Sequence, residues 1–205
     1  RQNEPELRNE LGRVWARSQE LHTQEIKTAA AHAAAGNWAE AVQSYKRAIG
    51  LRDTEEARAG LRNAQVGHER ELFRKAADPG ERVEHLKALC EARGDAEPVR
   101  GRAAAARNAF VQAAAAMAMA GRFREQFDDA RKAALAPAEK AVADSARLIA
   151  GIDPDRPDPA ALQAIADKCS QARRGFDEAA VAAFDGLYPD LAGQLAGGDR
   201  GAGLM

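Results

Sequence analysis

Strand-forming side chains are what this 205-residue sequence has least of: it holds two Trp, two Tyr and six Phe, and no stretch of alternating β-branched residues. That scarcity, beside an apolar fraction dominated by Ala, excludes a substantial sheet and favours helix throughout. Cysteine is nearly absent as well. Cys90 and Cys169 both fall in apolar, helix-patterned segments, which suits reduced core thiols in a cytoplasmic, reducing compartment better than a disulfide framework. A surplus of charge is also missing: 30 Lys and Arg stand against 31 Asp and Glu. The field of the whole molecule therefore does not attract a polyanion, and nucleic acid is not an expected partner. Long hydrophobic runs are lacking too. The longest uncharged run, Asn108 to Gly121, covers roughly two-thirds of a bilayer at helical rise, so membrane insertion is not expected. No secretory leader pattern is visible in a chain that begins at Arg1.

Catalytic signatures are missing where a helical protein most readily carries them. There is no Glu-x-x-His pair for a di-iron bundle, no His-Glu-x-x-His, no Cys-x-x-Cys, and no Gly-rich loop opening a helix to cradle phosphate. The glycines of GGDRGAG lie in the tail, with no helix after them to present amides to an anion. His22, His32, His68 and His85 are scattered along the predicted helices. His85 and Cys90 share a helix but are five residues apart, which puts them on different faces. The expectation is a non-enzymatic protein with no catalytic residue, no metal site and no cofactor.

What is present is a succession of amphipathic helices divided by Gly and Pro. From Pro5 to Ala35 the positions Leu7, Leu11, Val14, Trp15, Leu21 and Ile26 recur at helical spacing, and Gly36–Asn37 ends that run as one long helix or two abutting ones. Trp38 to Ile49 is a second helix, with Ala41, Val42, Tyr45 and Ala48 on one face. Asp53 followed by Glu56 resembles a capping box and predicts a third helix reaching about Ala77, stopped by Pro79 and Gly80. A fourth covers Val83 to Ala92, and a fifth runs from Pro98 to Gly121. A sixth begins at Phe123 and meets Pro137, which either kinks it or starts a new helix.

The sequence GIDPDRPDP at 151–159 is the clearest loop, and Asp158 before Pro159 reads as an N-cap ahead of a first-turn proline. Beyond it Leu162, Ile165, Cys169, Ala172, Phe176, Ala179 and Ala183 alternate spacings of three and four, a heptad seam. Val142, Ala146 and Ile149 form a matching stripe ahead of the loop, so an antiparallel hairpin is expected there. Charge is uneven along this half: residues 98–135 carry 7 basic and 3 acidic groups, and 137–205 carry 7 and 11.

Turns at Gly36, Gly80 and Gly121 are spaced by 44 and 41 residues, a helical-hairpin period. Within the first interval, AAAHAAAGNWAEAVQSYKRAIGLRDT (29–54) resembles a tetratricopeptide repeat: a small residue and Gly at the turn, then Trp38, Ala41, Tyr45 and Ala48. Physically, Ala at a helix crossing lets backbones approach, while the aromatics fill the space between hairpins. The segment departs from the pattern in its first helix, where Glu25 and Thr28 replace the usual apolar pair, and at Asp53 in place of the closing Pro. A second, weaker echo is AAAMAMAGRFREQFDDARKAA, with Gly121 and Phe123 placed like Gly36 and Trp38 but Gln126 in place of the packing Ala.

The fold expected is all-α: antiparallel helical hairpins forming a short α-solenoid or an irregular bundle, with tetratricopeptide-like hairpins over 1–97, a bundle or long hairpin over 98–192, and a flexible tail over 193–205. The resemblance implies a groove that takes a peptide or helix of another protein. On the matching face stand Thr23, Ile26, Ala30 and Ala33, with none of the Lys and Asn that would clamp a C-terminal carboxylate. Candidate partner-binding residues are Trp15, Thr23, Ile26 and Ala30, with Arg100 and Arg107 from the basic segment. Most of the large aromatics are expected in the core; if one is exposed, Trp15 is the candidate, because the long first helix can extend beyond its neighbour. The function expected is that of an adaptor, scaffold or chaperone. The alternative is a helical regulatory or targeting domain cut from a larger enzyme or secreted toxin, motivated by the missing initiator Met.

Overall fold

The computed structural model describes residues 4–187, and every long element among them is an α-helix. In order these are α1 (Glu4–Ala34), α2 (Trp38–Leu51), α3 (Glu55–Lys75), α4 (Pro79–Arg93), α5 (Glu97–Arg122), α6 (Asp129–Ala150) and α7 (Pro159–Leu187), with one 3-10 turn at Arg124–Gln126. The all-α class expected from composition is the class observed. No helix among the described residues is long and apolar enough to cross a membrane. The tail at 193–205 lies outside the described residues, as does the side chain of Ala183 at the end of the α7 seam.

The chain divides into two compact units, Arg1–Ala77 with His85–Ala96, and Asp78–Glu84 with Glu97–Met205. In the first, α1 turns into α2 through Gly36 at φ +76°, a left-handed conformation that only Gly adopts without strain. The amide of Gly36 donates to Ala33 O at 3.1 Å and that of Asn37 to His32 O at 2.9 Å, the paired bonds of a Schellman ending. Gly94, at φ +73°, ends α4 in the same way, with Asp95 N donating to Cys90 O. Helix α2 then packs on both α1 and α3. Its Ala41, Val42, Tyr45 and Ala48 are buried with Ala29 of α1 and Ala64 of α3, and Ile26, Ala33 and Leu61 close the edge. The surface side of the α1–α2 contact carries an ion pair, Arg47 to Glu25 at 3.1 Å, and Arg47 also donates to the buried Ser44 hydroxyl at 2.8 Å.

Two glycines of α3 make this packing close. A Cβ on Gly60 would lie under 3.0 Å from the ring of Tyr45, and one on Gly67 equally close to the indole of Trp38. Trp38 and Tyr45 are seven residues apart, as are Gly60 and Gly67, so one heptad of α2 rests on one heptad of α3.

Three helix starts differ from the sequence expectation, α6 among them: it begins at Asp129, after the turn at Arg124–Gln126, and not at Phe123. The N-cap of α3 is Thr54, whose hydroxyl accepts from Ala57 N at 3.3 Å; Asp53 turns instead to a two-pronged ion pair with Arg58. Pro79 opens α4 and does not merely stop α3. Asp78 accepts from Glu81 N at 3.0 Å, and a proline whose missing N–H is needed nowhere fits the first turn.

The second unit is organised around α7, which packs on both α5 and α6. Leu162, Ile165, Cys169, Ala172, Phe176 and Ala179 are buried as the heptad pattern predicts. Facing them are Leu135, Ala138, Val142, Ser145 and Ile149 of α6 and Ala103, Ala106, Phe110 and Ala113 of α5. Helices α6 and α7 run antiparallel: Gly175 stands against Ala138, and the Cys169 thiol meets Ser145. The connection is capped as expected, with Asp158 accepting from the amides of Ala160 (3.0 Å) and Ala161 (3.3 Å). Pro137 lies within α6, so the helix continues through it.

Candidate functional site

Helix α1 has 31 residues and α2 only 14, or about 46 Å against about 21 Å at 1.5 Å per residue. Only the second half of α1 is therefore sheathed. There His22 and Ala29 are buried, and Ile26 and Ala33 are half-buried against the α2–α3 core. The first half presents Leu7 (40% exposed), Leu11 (68%), Val14 (67%) and Trp15 (62%) to solvent.

At about 100° per residue, those four side chains and His22, Ile26, Ala29 and Ala33 fall within an arc of about 120°. The exposed stripe is thus the continuation of the face that α2 and α3 bury further along. Contiguous large apolar groups on one helix face differ from scattered exposed ones, which are common on any protein. Arg8, Glu10 and Arg17 flank the stripe, and two of them pair along the helix: Arg8 with Glu4 at 2.8 Å and Arg17 with Glu20 at 3.2 Å.

Thr23 lies just beyond the stripe and is exposed, its hydroxyl donating back to Gln19 O at 2.9 Å. It lines a shallow cleft of about 350 Å³ with Gln19, His22, Ile26, Lys27 and Thr54. At its floor His22 Nε2 sits 3.3 Å from the Thr54 hydroxyl. Ile26 borders the cleft but spends most of its surface on the core, while Ala30 is exposed. The structure thus brings Trp15, Thr23 and Ala30 to the surface of one helix and takes Ile26 largely inward. Arg100 and Arg107 belong to the second unit, where Arg100 pairs with Glu97, and Arg107 with Glu84 and with Asn108 Oδ1 at 3.0 Å.

Several ionisable groups outside this face form pairs, among them Arg58 with Asp53 and Arg62 with Glu55. Among the described residues no three His, Cys, Asp or Glu side chains converge as a metal site would require. His85 Nδ1 meets Glu69 Oε2 at 2.9 Å. Both thiols are free and buried. Burial pushes Cys90 up to about 11, with Asp95 adding to the rise and Arg93 opposing it. Burial raises Cys169 as well, against a hydrogen bond from Ser145. Each is a neutral thiol at neutral pH, whereas nucleophilic and metal-binding cysteines act as thiolates.

No known protein resolves the matter: the chain matches no family model, no curated protein and no solved structure. Leu7, Leu11 and Val14 are readable as an amphipathic stripe, yet periodicity alone says only that a face is apolar. The length difference between α1 and α2 is the signal that leaves half of it bare.

Proposed function

We propose that the chain is a protein–protein interaction module, an adaptor or scaffold in class, which holds a helix against the free half of α1. The observation that carries this reading is the row Leu7, Leu11, Val14 and Trp15, exposed on a helix whose same face is buried further along. Water is a poor solvent for such a row, and a second helix laid along it removes the apolar surface at about 25 cal/mol per Å². Anchors at i, i+4, i+7 and i+8 are the spacing of helix-in-groove recognition, and Trp is among the residue types that most often dominate an interface. The tetratricopeptide-like segment at 29–54 supports the same class, since its hairpin braces the root of α1 while leaving its tip uncovered.

A photo-crosslinking residue at position 11, introduced in the native cell, tests the reading. A discrete adduct is expected, with another protein or with a second copy. The same residue at Ala16, on the opposite side of α1, should give none. Absence of an adduct at position 11, or equal labelling from both positions, contradicts the proposal.

A further inference from the structure

The side chains beside the stripe follow a heptad order. Leu7, Leu11, Val14 and Ser18 alternate spacings of four and three, the core positions of a short two-stranded coiled coil. Glu10 and Arg17, seven residues apart, flank that seam on one side; Arg8 and Trp15, also seven apart, flank it on the other.

We infer that the helix received by this face is the same stretch of α1 from a second copy of the chain, running antiparallel; the inference rests on the reading of the free half of α1 as an interaction face. In an antiparallel pair each flank meets the same flank of its mate. With Leu11 set against Val14 of the second copy, Leu7 falls opposite Ser18 of that copy. Glu10 then approaches its Arg17, and Arg17 its Glu10, so both borders on that side carry opposite charges. On the other side Arg8 comes over the indole of Trp15 of the second copy, and Trp15 receives the reciprocal Arg8, a cation on an aromatic face. The contact is isologous, the same patch serving both chains around a two-fold axis.

A parallel pairing loses all of this. It would put Glu10 beside Trp15 of the second copy and Arg17 beside its His22, which is already buried against Thr54. It would also lay the two sheathed halves of α1 alongside each other, on a face that α2 and α3 occupy. Antiparallel, the overlap runs from about residue 7 to about residue 18 and ends before His22, where the intramolecular cover begins. The intrachain pairs Arg8–Glu4 and Arg17–Glu20 do not oppose this, because both are solvent-exposed surface pairs of small worth.

Sedimentation velocity on the full chain, from about 1 to about 100 µM, tests the inference. A monomer–dimer equilibrium is expected within that range. Glu10→Arg alone and Arg17→Glu alone should each weaken it by about tenfold or more, since each places like charges across both borders. An equimolar mixture of those two variants should restore association, because each border of the mixed pair again joins an arginine to a glutamate. A chain that stays monomeric throughout overturns the inference, and so does a dimer that ignores both variants or a mixture that stays dissociated. A monomer whose position-11 crosslink joins a different protein removes only the second copy as occupant. A monomer with no crosslink removes the interaction face as well.

Discussion

The ring of Tyr45 fills the space that a Cβ on Gly60 would need: its Cε1, Cζ and hydroxyl oxygen would all lie under 3.0 Å from that atom. Glycine inside a helix ordinarily costs about 1 kcal/mol relative to Ala, so Gly60 is kept at a loss for the close approach it allows. Gly60→Ala should destabilise the protein by about 1–2 kcal/mol, the overpacking of about 1–3 kcal/mol outweighing the gain in helix propensity. Gly12→Ala is the control, because nothing lies within 4 Å of its would-be Cβ, and it should raise stability by up to about 1 kcal/mol. Urea denaturation of the two variants measures both signs.

The aromatic partners of the two glycines should not be equal. Tyr45 is buried, while Trp38 is only half-buried on Gly67. Tyr45→Ala is expected to cost about 3–5 kcal/mol and Trp38→Ala clearly less, since the penalty scales with the cavity left behind. Equal and small effects on thermal melting would contradict the α2–α3 packing.

The start of α3 gives a sharper discrimination. Thr54→Ala removes the side-chain acceptor of the first turn and the partner of His22, and should cost about 1 kcal/mol. Thr54→Ser should recover most of that. Asp53→Ala, which loses only an exposed pair with Arg58, should cost less than Thr54→Ala. The reverse order in chemical denaturation would return the cap to Asp53.

Cys90 makes the fold sensitive to alkali. Its thiol ionises near 9.0 when exposed and at about 11 in place, so between those values the unfolded chain has lost a proton that the native one retains. Stability is then fully present below about pH 9 and falls as pH rises toward 11, by at most about 2–3 kcal/mol for a shift of about two units. Cys90→Ala should lower stability at pH 7 through its cavity yet flatten the decline between pH 9 and 11. Parallel pH profiles for the two proteins would show that the thiol is not held protonated.

Much of this fold is legible in the sequence because the pattern and the packing coincide. The α7 seam from Leu162 to Ala179 and the α2 face of Ala41, Tyr45 and Ala48 are both periodic and buried, and Gly36 marks a turn that needs positive φ. Local competition is less legible. Asp53 and Thr54 are both good caps, and the choice falls to Thr54 while Arg58 draws Asp53 away. Pro79 stops one helix and starts another, and a single sequence position gives no order to those two roles. The Ala-rich end of α5 carries no such signal. Only Ala113 of that run is buried, and Ala115, Ala118 and Met119 face outward, because Ala satisfies helix propensity whether or not a neighbour arrives. The candidate face on α1 is half-legible for a related reason. Trp15 is readable only as the candidate if an aromatic is exposed, and Phe123 is exposed as well; Leu7, Leu11 and Val14 look like core until the shortness of α2 leaves them without cover.

The face of Leu7, Leu11, Val14 and Trp15 is bare in the isolated chain. Acrylamide quenching of Trp15 in a Trp38→Phe background, at nanomolar concentration, where association is absent, measures it directly. Emission and quenching close to those of free tryptophan are expected, with shielding as concentration rises. A Trp15 already blue-shifted and protected at the lowest concentration would mean that the chain covers its own helix, and would contradict that expectation.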